Sequence, residues 1–251
     1  MIEIINLKKS FGTQQVLKGV DLVIETGEVT AILGKSGGGK SVLLKHIIGL
    51  LKPDSGQVMI DGVDITRLGT ADMDKFREKF AVVFQFGALF DSMTIFENVS
   101  FPVVEKTRLS SGDIGDKVRR VLSDVGLEGI ENKYPSEISG GMKKRVALAR
   151  ALIIEPSIVL FDEPTTGLDP VLLNQIHAYI RETHLKYGFT GIVVSHEVPE
   201  IFDISDKVAI LDEGVIVESG TPDNIVRSDN PTVQSFVARG YPANRMEKTT
   251  N

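Results

Sequence analysis

The run Gly34-Lys35-Ser36-Gly37-Gly38-Gly39-Lys40-Ser41 constrains this chain more than any other stretch. It has the form Gly-x-x-x-x-Gly-Lys-Ser. Glu28 to Leu33 precede it as a nearly continuous apolar segment, the pattern of a buried parallel strand. An apolar helical segment, Val42 to Leu51, follows, and the cluster Pro53-Asp54-Ser55-Gly56 is expected to end it. Strand, glycine loop and helix in that order make a phosphate cradle, because the glycines turn backbone N–H groups inward and the helix N-terminus adds partial positive charge. Lys40 is then placed to reach the β- and γ-phosphates of a nucleotide, and Ser41 to hold Mg²⁺ by its hydroxyl.

The remaining pattern supplies the frame for such a loop. Ile2, Ile4 and Leu7, then Val20, Leu22 and Ile24, alternate with polar residues as in half-buried strands. Gln57 to Ile60 and Val63 to Ile65 flank Asp61-Gly62, a hairpin signature. After a short strand at Phe80 to Phe84, the stretch from Gln85 to about Glu155 reads as an inserted helical lobe. β/α alternation then returns. Ser157 to Phe161 ends on Asp162-Glu163, Leu172 to Tyr187 is a helix, and Gly191 to Ser195 ends on His196. Val208 to Leu211 and Val215 to Val217 form a hairpin around Asp212-Glu213-Gly214, and the residues after Gly240 read as a polar tail. The fold class is α/β. Buried strands ending at Leu33, Phe161 and Ser195 predict one site built from three distant stretches at the carboxyl ends of a parallel sheet.

Composition removes competing chemistries. The chain has no cysteine, which excludes disulfides, thiolate metal sites and cysteine nucleophiles. Its formal charge is 28 − 34 = −6, unlike a protein that coats nucleic acid. Met1-Ile2-Glu3-Ile4-Ile5-Asn6 lacks the basic start and apolar stretch of a signal peptide. No apolar run approaches the ~20 residues of a membrane span, so work at a membrane calls for another chain to hold this one there.

Four further clusters carry chemistry. A carboxylate at the end of the apolar run Ile158 to Phe161 suits Asp162 to Mg²⁺ and Glu163 to polarising an attacking water; on its own such a pair is also a common acidic turn. Ser139-Gly140-Gly141 opens the helical run from Met142 to Leu152, which is either an ordinary N-cap or a second anion site. His196 is placed either to bond a γ-phosphate or to bond backbone, and Gln85 either to sense Mg²⁺ and water or to be a polar loop residue. Phe84, Phe86, Phe90, Phe96 and Phe101 read either as the core of the helical lobe or as a partly exposed groove for an apolar partner helix.

These elements in this order resemble the ATPase subunits of ABC transporters, over about residues 1 to 240. The resemblance rests on the glycine loop, Gln85, Ile138-Ser139-Gly140-Gly141-Met142, the strand Ile158 to Glu163, Gly167-Leu168-Asp169 and His196. It implies an ABC-type P-loop NTPase with a RecA-like core (about 1–84 and 156–240), an N-terminal antiparallel β subdomain, an inserted helical subdomain (about 85–155) and a tail at 241–251. It implies ATP and Mg²⁺, with Ser41, Gln85 and Asp162 at the metal, Glu163 as catalytic base, and His196 on the γ-phosphate. It also implies a head-to-tail dimer of two copies sharing two ATP, in which Ser139-Gly140-Gly141 faces the partner's nucleotide and Asp169 communicates across the dimer. The adenine-stacking aromatic, usually tyrosine in this family, maps to Phe11, and Met142 stands where the family usually has glutamine.

Met142, the segments Phe84 to Phe90 and Asp91 to Val99, and Val194 to Glu200 are similar to one subgroup, the ATPases of MCE-linked phospholipid transporters of the maintenance-of-lipid-asymmetry type. That resemblance implies a peripheral protein on the cytoplasmic face of the inner membrane. Its implied partners are a permease contacting the Gln85–Phe101 region and an MCE-domain lipid-binding protein, with no nucleic acid. A polar-solute importer, such as one for amino acids, and a non-transport ATPase regulating a cell-division membrane complex remain the alternatives, because substrate is chosen by other chains.

Overall fold

The structure is a computed structural model and describes residues 1–240. The tail expected over 241–251 lies outside the described residues. The first half of the chain forms β1 (Ile2–Phe11), β2 (Gln14–Ile24), β3 (Val29–Leu33), α1 (Lys40–Ile47), β4 (Ser55–Ile60), β5 (Val63–Asp64), α2 (Thr70–Arg77) and β6 (Phe80–Val83). Three helices follow, α3 (Ile95–Lys106), α4 (Ser111–Asp124) and α5 (Gly140–Leu152), then β7 (Ile158–Asp162) and α6 (Pro170–Tyr187). The chain continues through β8 (Thr190–Ser195), β9 (Lys207–Asp212), β10 (Val215–Gly220), α7 (Pro222–Val226) and α8 (Pro231–Gly240). It divides into two compact units. One comprises Met1–Lys79 and the chain from Thr190 onward; the other is Phe80–Phe189, so that β7 and α6 group with the helical segment.

The first unit holds two sheets. One is antiparallel, in the order β2-β1-β4-β5. Its apolar spacing contains the register: Ile2 and Ile4 are two apart, but Leu7 comes three later, and all three are buried. The extra residue is a bulge in which Ile5 and Asn6 stand against Asp21, with Asn6 at φ 45° and its amide donating to Asp21 Oδ1 (2.8 Å). In the second sheet β3 lies between β8 and β9, parallel to both, and β10 closes the edge antiparallel to β9. Every residue of β3 is buried, as its apolar run requires.

The helix after the glycine loop departs from expectation. It ends at Ile47, not Leu51, because Gly49 turns left-handed at φ 65° inside the apolar run. The Gly49 amide donates to His46 O (3.0 Å) and the Leu50 amide to Lys45 O (2.8 Å), the paired bonds of a Schellman cap.

A tighter glycine sits at the start of β4. Gly56 has φ 91°, and a Cβ there would lie 2.4 Å from Asn6 O. Gly56→Ala is expected to destabilise the protein by about 2–4 kcal/mol, through a forbidden backbone angle and a backbone clash. Urea denaturation measures this, and an unchanged midpoint would contradict the fit.

In the second unit β6 and β7 run parallel, and the helices pack their apolar faces on Val99, Val103, Val118, Val121, Leu122, Val146, Leu148 and Leu152, all buried. Thr94 and Glu97 form a capping box on α3. Buried Asn98 accepts from Phe90 N (2.8 Å) and donates to the carbonyls of Phe90, Met93 and Thr94, which fixes the loop before that helix. Asp169 caps α6 by accepting from the amides of Val171 and Leu172, so the helix starts at Pro170 rather than Leu172.

Candidate functional site

The loop expected to cradle phosphate lies in the first unit and is built by packing that only glycine permits. A Cβ on Gly34 would lie 2.5 Å from Leu211 O, and one on Gly39 would lie 3.0 Å from Leu17 Cδ2. Gly37 and Gly39 have φ of 75° and 98°. Gly39 stands at the cap position of α1 without a side-chain cap, so no side chain competes for the first-turn amides. Ser36, Gly37 and Ser41 are exposed and Gly38 is half-exposed. Lys40 is only 4% exposed and its Nζ donates to Gly34 O (2.8 Å) and Lys35 O (3.0 Å), inside the loop it serves. The Lys35 side chain pairs with Asp212 (3.1 Å).

Two other expected residues lie in this unit. Leu33 and Ser195 are register partners on β3 and β8, so the loop and His196 leave neighbouring strand ends; the His196 side chain is exposed. Phe11, 48% exposed, sits where β1 turns into β2.

The second unit gathers the other expected residues at two places. Val83 pairs with Phe161, so Gln85 and the Asp162-Glu163 pair leave the same end of β6 and β7. All three are half-buried. Glu163 adopts φ 50°, a conformation that costs a non-glycine residue about 1–3 kcal/mol, and its Oε2 accepts from Thr166 Oγ1 (3.0 Å). At the second place Ser139 caps α5 by accepting from Met142 N (3.3 Å), with Ser139 and Gly140 exposed. A Cβ on Gly141 would lie 3.4 Å from Leu172 Cδ2.

Along α5 run cations that the sequence did not single out. Lys144 donates to Gln85 O, and Arg150 donates to Gly87 O (2.6 Å) and Ala88 O (2.8 Å). The helix that opens at Ser139 thus grips the Gln85 loop by its backbone. Burial lowers the Arg150 pKa, but a guanidinium stays charged at neutral pH. Cations on a helix usually read as a solvated face, and no spacing in the sequence sets these apart.

The phenylalanines resolve in favour of exposure. Phe84, Phe86, Phe90 and Phe101 are 47%, 82%, 42% and 37% exposed, and Phe96 is half-buried, so the reading as lobe core is corrected. Phe84, Phe90, Phe101, Pro102, Arg150 and Ile154 line a groove of about 480 Å³. Among the described residues no helix is long and apolar enough to cross a membrane.

Comparison with known proteins places this geometry. The model of the ABC transporter family matches residues 17–166. The chain is 42% identical over 236 residues to the probable ribonucleotide transport ATP-binding protein mkl of Mycobacterium tuberculosis, covering 94% of this chain and 66% of that relative. It therefore spans about two thirds of that protein's length. It is 38% identical to the intermembrane phospholipid transport system ATP-binding protein MlaF of Haemophilus influenzae, covering 94% of this chain and 90% of the relative. Among solved structures it resembles the dimeric post-hydrolysis state of the ATP-binding cassette MJ0796 bound to ADP and Pi. The TM-score is 0.80 at 32% identity, over 88% of this chain and 99% of the other.

Proposed function

Because this chain belongs to the ABC transporter family, we propose that it is the ATP-hydrolysing subunit that drives a membrane permease for phospholipids. The observation that carries the ATPase part is the cradle Gly34–Ser41, in which Gly34 leaves no room for a Cβ, Gly37 and Gly39 take left-handed angles, and buried Lys40 donates into the loop. In this reading the cradle's amides and Lys40 hold the β- and γ-phosphates, and Phe11 stacks on adenine. Glu163 takes the proton of the attacking water, and His196 bonds the γ-phosphate.

Ser41, Gln85 and Asp162 offer a hydroxyl, an amide and a carboxylate, the hard oxygen donors that Mg²⁺ takes. Among the described residues no group of three or more His, Asp or Glu gathers as a metal cage. Donors of that kind suit an ion arriving with phosphate ligands of its own. The ion would supply charge neutralisation at the γ-phosphate.

Two copies would close head to tail, with Ser139-Gly140-Gly141 of one on the nucleotide of the other and Asp169 signalling across; the dimeric form of MJ0796 supports the pairing of two copies. The groove of Phe84, Phe90 and Phe101 would receive the permease, on the cytoplasmic face of the inner membrane. An MCE-domain lipid-binding protein would complete the assembly. Likeness to MlaF over nearly the whole of both chains supports phospholipid as cargo. The similarity to mkl favours a second reading, transport of a polar solute such as a ribonucleotide.

The two separate in one experiment. The complex captured from membranes through this chain is expected to contain a permease and an MCE-domain protein. Its ATPase rate should respond to added phospholipid and not to ribonucleotides. Stimulation by ribonucleotides alone would transfer the assignment to the second reading.

A further inference from the structure

The β1–β2 hairpin that carries Phe11 is tied to the phosphate cradle at two points. On the β2 side, Val16 and Leu17 lie against Gly39, where an added Cβ would meet Val16 Cγ1 at 3.1 Å and Leu17 Cδ2 at 3.0 Å. On the β1 side the tie is ionic and runs to the loop that follows α1. Asp54 Oδ1 accepts from Lys9 Nζ (2.8 Å), and its Oδ2 accepts from the Ser10 amide (2.6 Å). Lys9 Nζ also donates to Lys52 O (2.9 Å), and the Asp54 amide donates to Lys8 O (2.9 Å).

These bonds fall where the strand needs support. The β1–β2 register shifts between Lys9 and Ser10, immediately before Phe11. A bulge re-aims the side chain that follows it. The Lys9 stem is mostly buried, and its ammonium stands 5.7 Å from the Phe11 ring centroid, within range of a cation–π attraction. The Lys9 hydrogen bond, then the Ser10 amide, hold the Asp54 carboxyl below its usual pKa, so the clasp is charged at neutral pH.

We propose that Lys9 and Asp54 are positioning residues for the nucleobase. They lock the Phe11 ring at a set reach from Gly34–Ser41, with the Lys9 ammonium on one face and the other face left for a purine. Since α1 begins at Lys40 and leads through its Schellman cap to Asp54, cradle and ring are held by one continuous piece of chain. The inference rests on the reading of Phe11 as the base-stacking ring.

Tripolyphosphate fills the cradle without a base, so it separates base positioning from phosphate binding. Calorimetric titration of the full chain with Mg-ATP, and competition by tripolyphosphate, are measured for wild type, Phe11→Ala, Asp54→Ala and the double variant. Phe11→Ala is expected to weaken ATP about tenfold, and Asp54→Ala about three- to tenfold, with tripolyphosphate within about twofold of wild type. The double variant should be no weaker than Phe11→Ala. Lys9→Met should reproduce the loss, which keeps the test decisive should Asp54→Ala fail to fold. Asp54→Asn, which retains an acceptor for the Ser10 amide, should recover part of it. The proposal is overturned if Asp54→Ala and Lys9→Met bind ATP like wild type while Phe11→Ala does not. Equal weakening of ATP and tripolyphosphate, or additive effects in the double variant, overturns it as well. If Phe11→Ala itself binds ATP like wild type, the stacking reading fails and takes the inference with it.

Discussion

Glu163→Gln is expected to lower ATP turnover by roughly 10²- to 10⁴-fold while ATP affinity stays within about twofold. An amide keeps the size and polarity of the carboxylate but cannot take the proton of an attacking water. The conformation favours this outcome. Glu163 sits in a left-handed backbone angle with Oε2 held by Thr166 Oγ1, and glutamine can occupy the same place. Strain of that kind at the end of a buried strand is retained where it aims a functional group. A phosphate-release assay beside a binding titration checks the split. Retention of near wild-type turnover would remove Glu163 as the base.

Lys40→Ala should fail differently. Lys40 is buried in the loop and donates to Gly34 O and Lys35 O, so its loss takes away two bonds that shape the loop and, in the proposed role, the cation on the phosphates. ATP affinity and turnover are both expected to fall, with turnover down roughly 10²- to 10³-fold, the scale for removing one donor from developing charge. Binding titration distinguishes the variants: Glu163→Gln binds and does not turn over, whereas Lys40→Ala does neither. Unchanged ATP binding in Lys40→Ala would contradict the phosphate role.

The elements carrying this chemistry were legible because each is written in local pattern. Val29–Leu33 is apolar but for Thr30 and is a wholly buried strand with parallel neighbours on both sides. Ile2, Ile4 and Leu7 read as plain alternation, and the structure places a bulge at Asn6 between the last two. What local pattern conceals is tertiary. Gly49 lies within an apolar run that reads as continuous helix, and only the cap bonds from Gly49 and Leu50 show that the helix has ended. Lys144 and Arg150 look like solvated helix charges until their donation to the Gln85, Gly87 and Ala88 carbonyls is seen. The phenylalanines could serve a core or a groove equally well on paper, since burial depends on which helices pack beside them. The clasp of Lys9 and Asp54 joins positions far apart in sequence and leaves no trace in composition or periodicity.

The central claim is that the cradle is half of a site, completed by the Ser139 helix of a second copy. Light-scattering mass of Glu163→Gln in solution tests it most directly. With ATP and Mg²⁺ the mass should double from that of the 27.4 kDa chain, and adding Ser139→Arg should return it to the monomer while ATP still binds. A Glu163→Gln protein that stays monomeric in saturating ATP, or an ATP-induced dimer that Ser139→Arg leaves intact, would contradict the account.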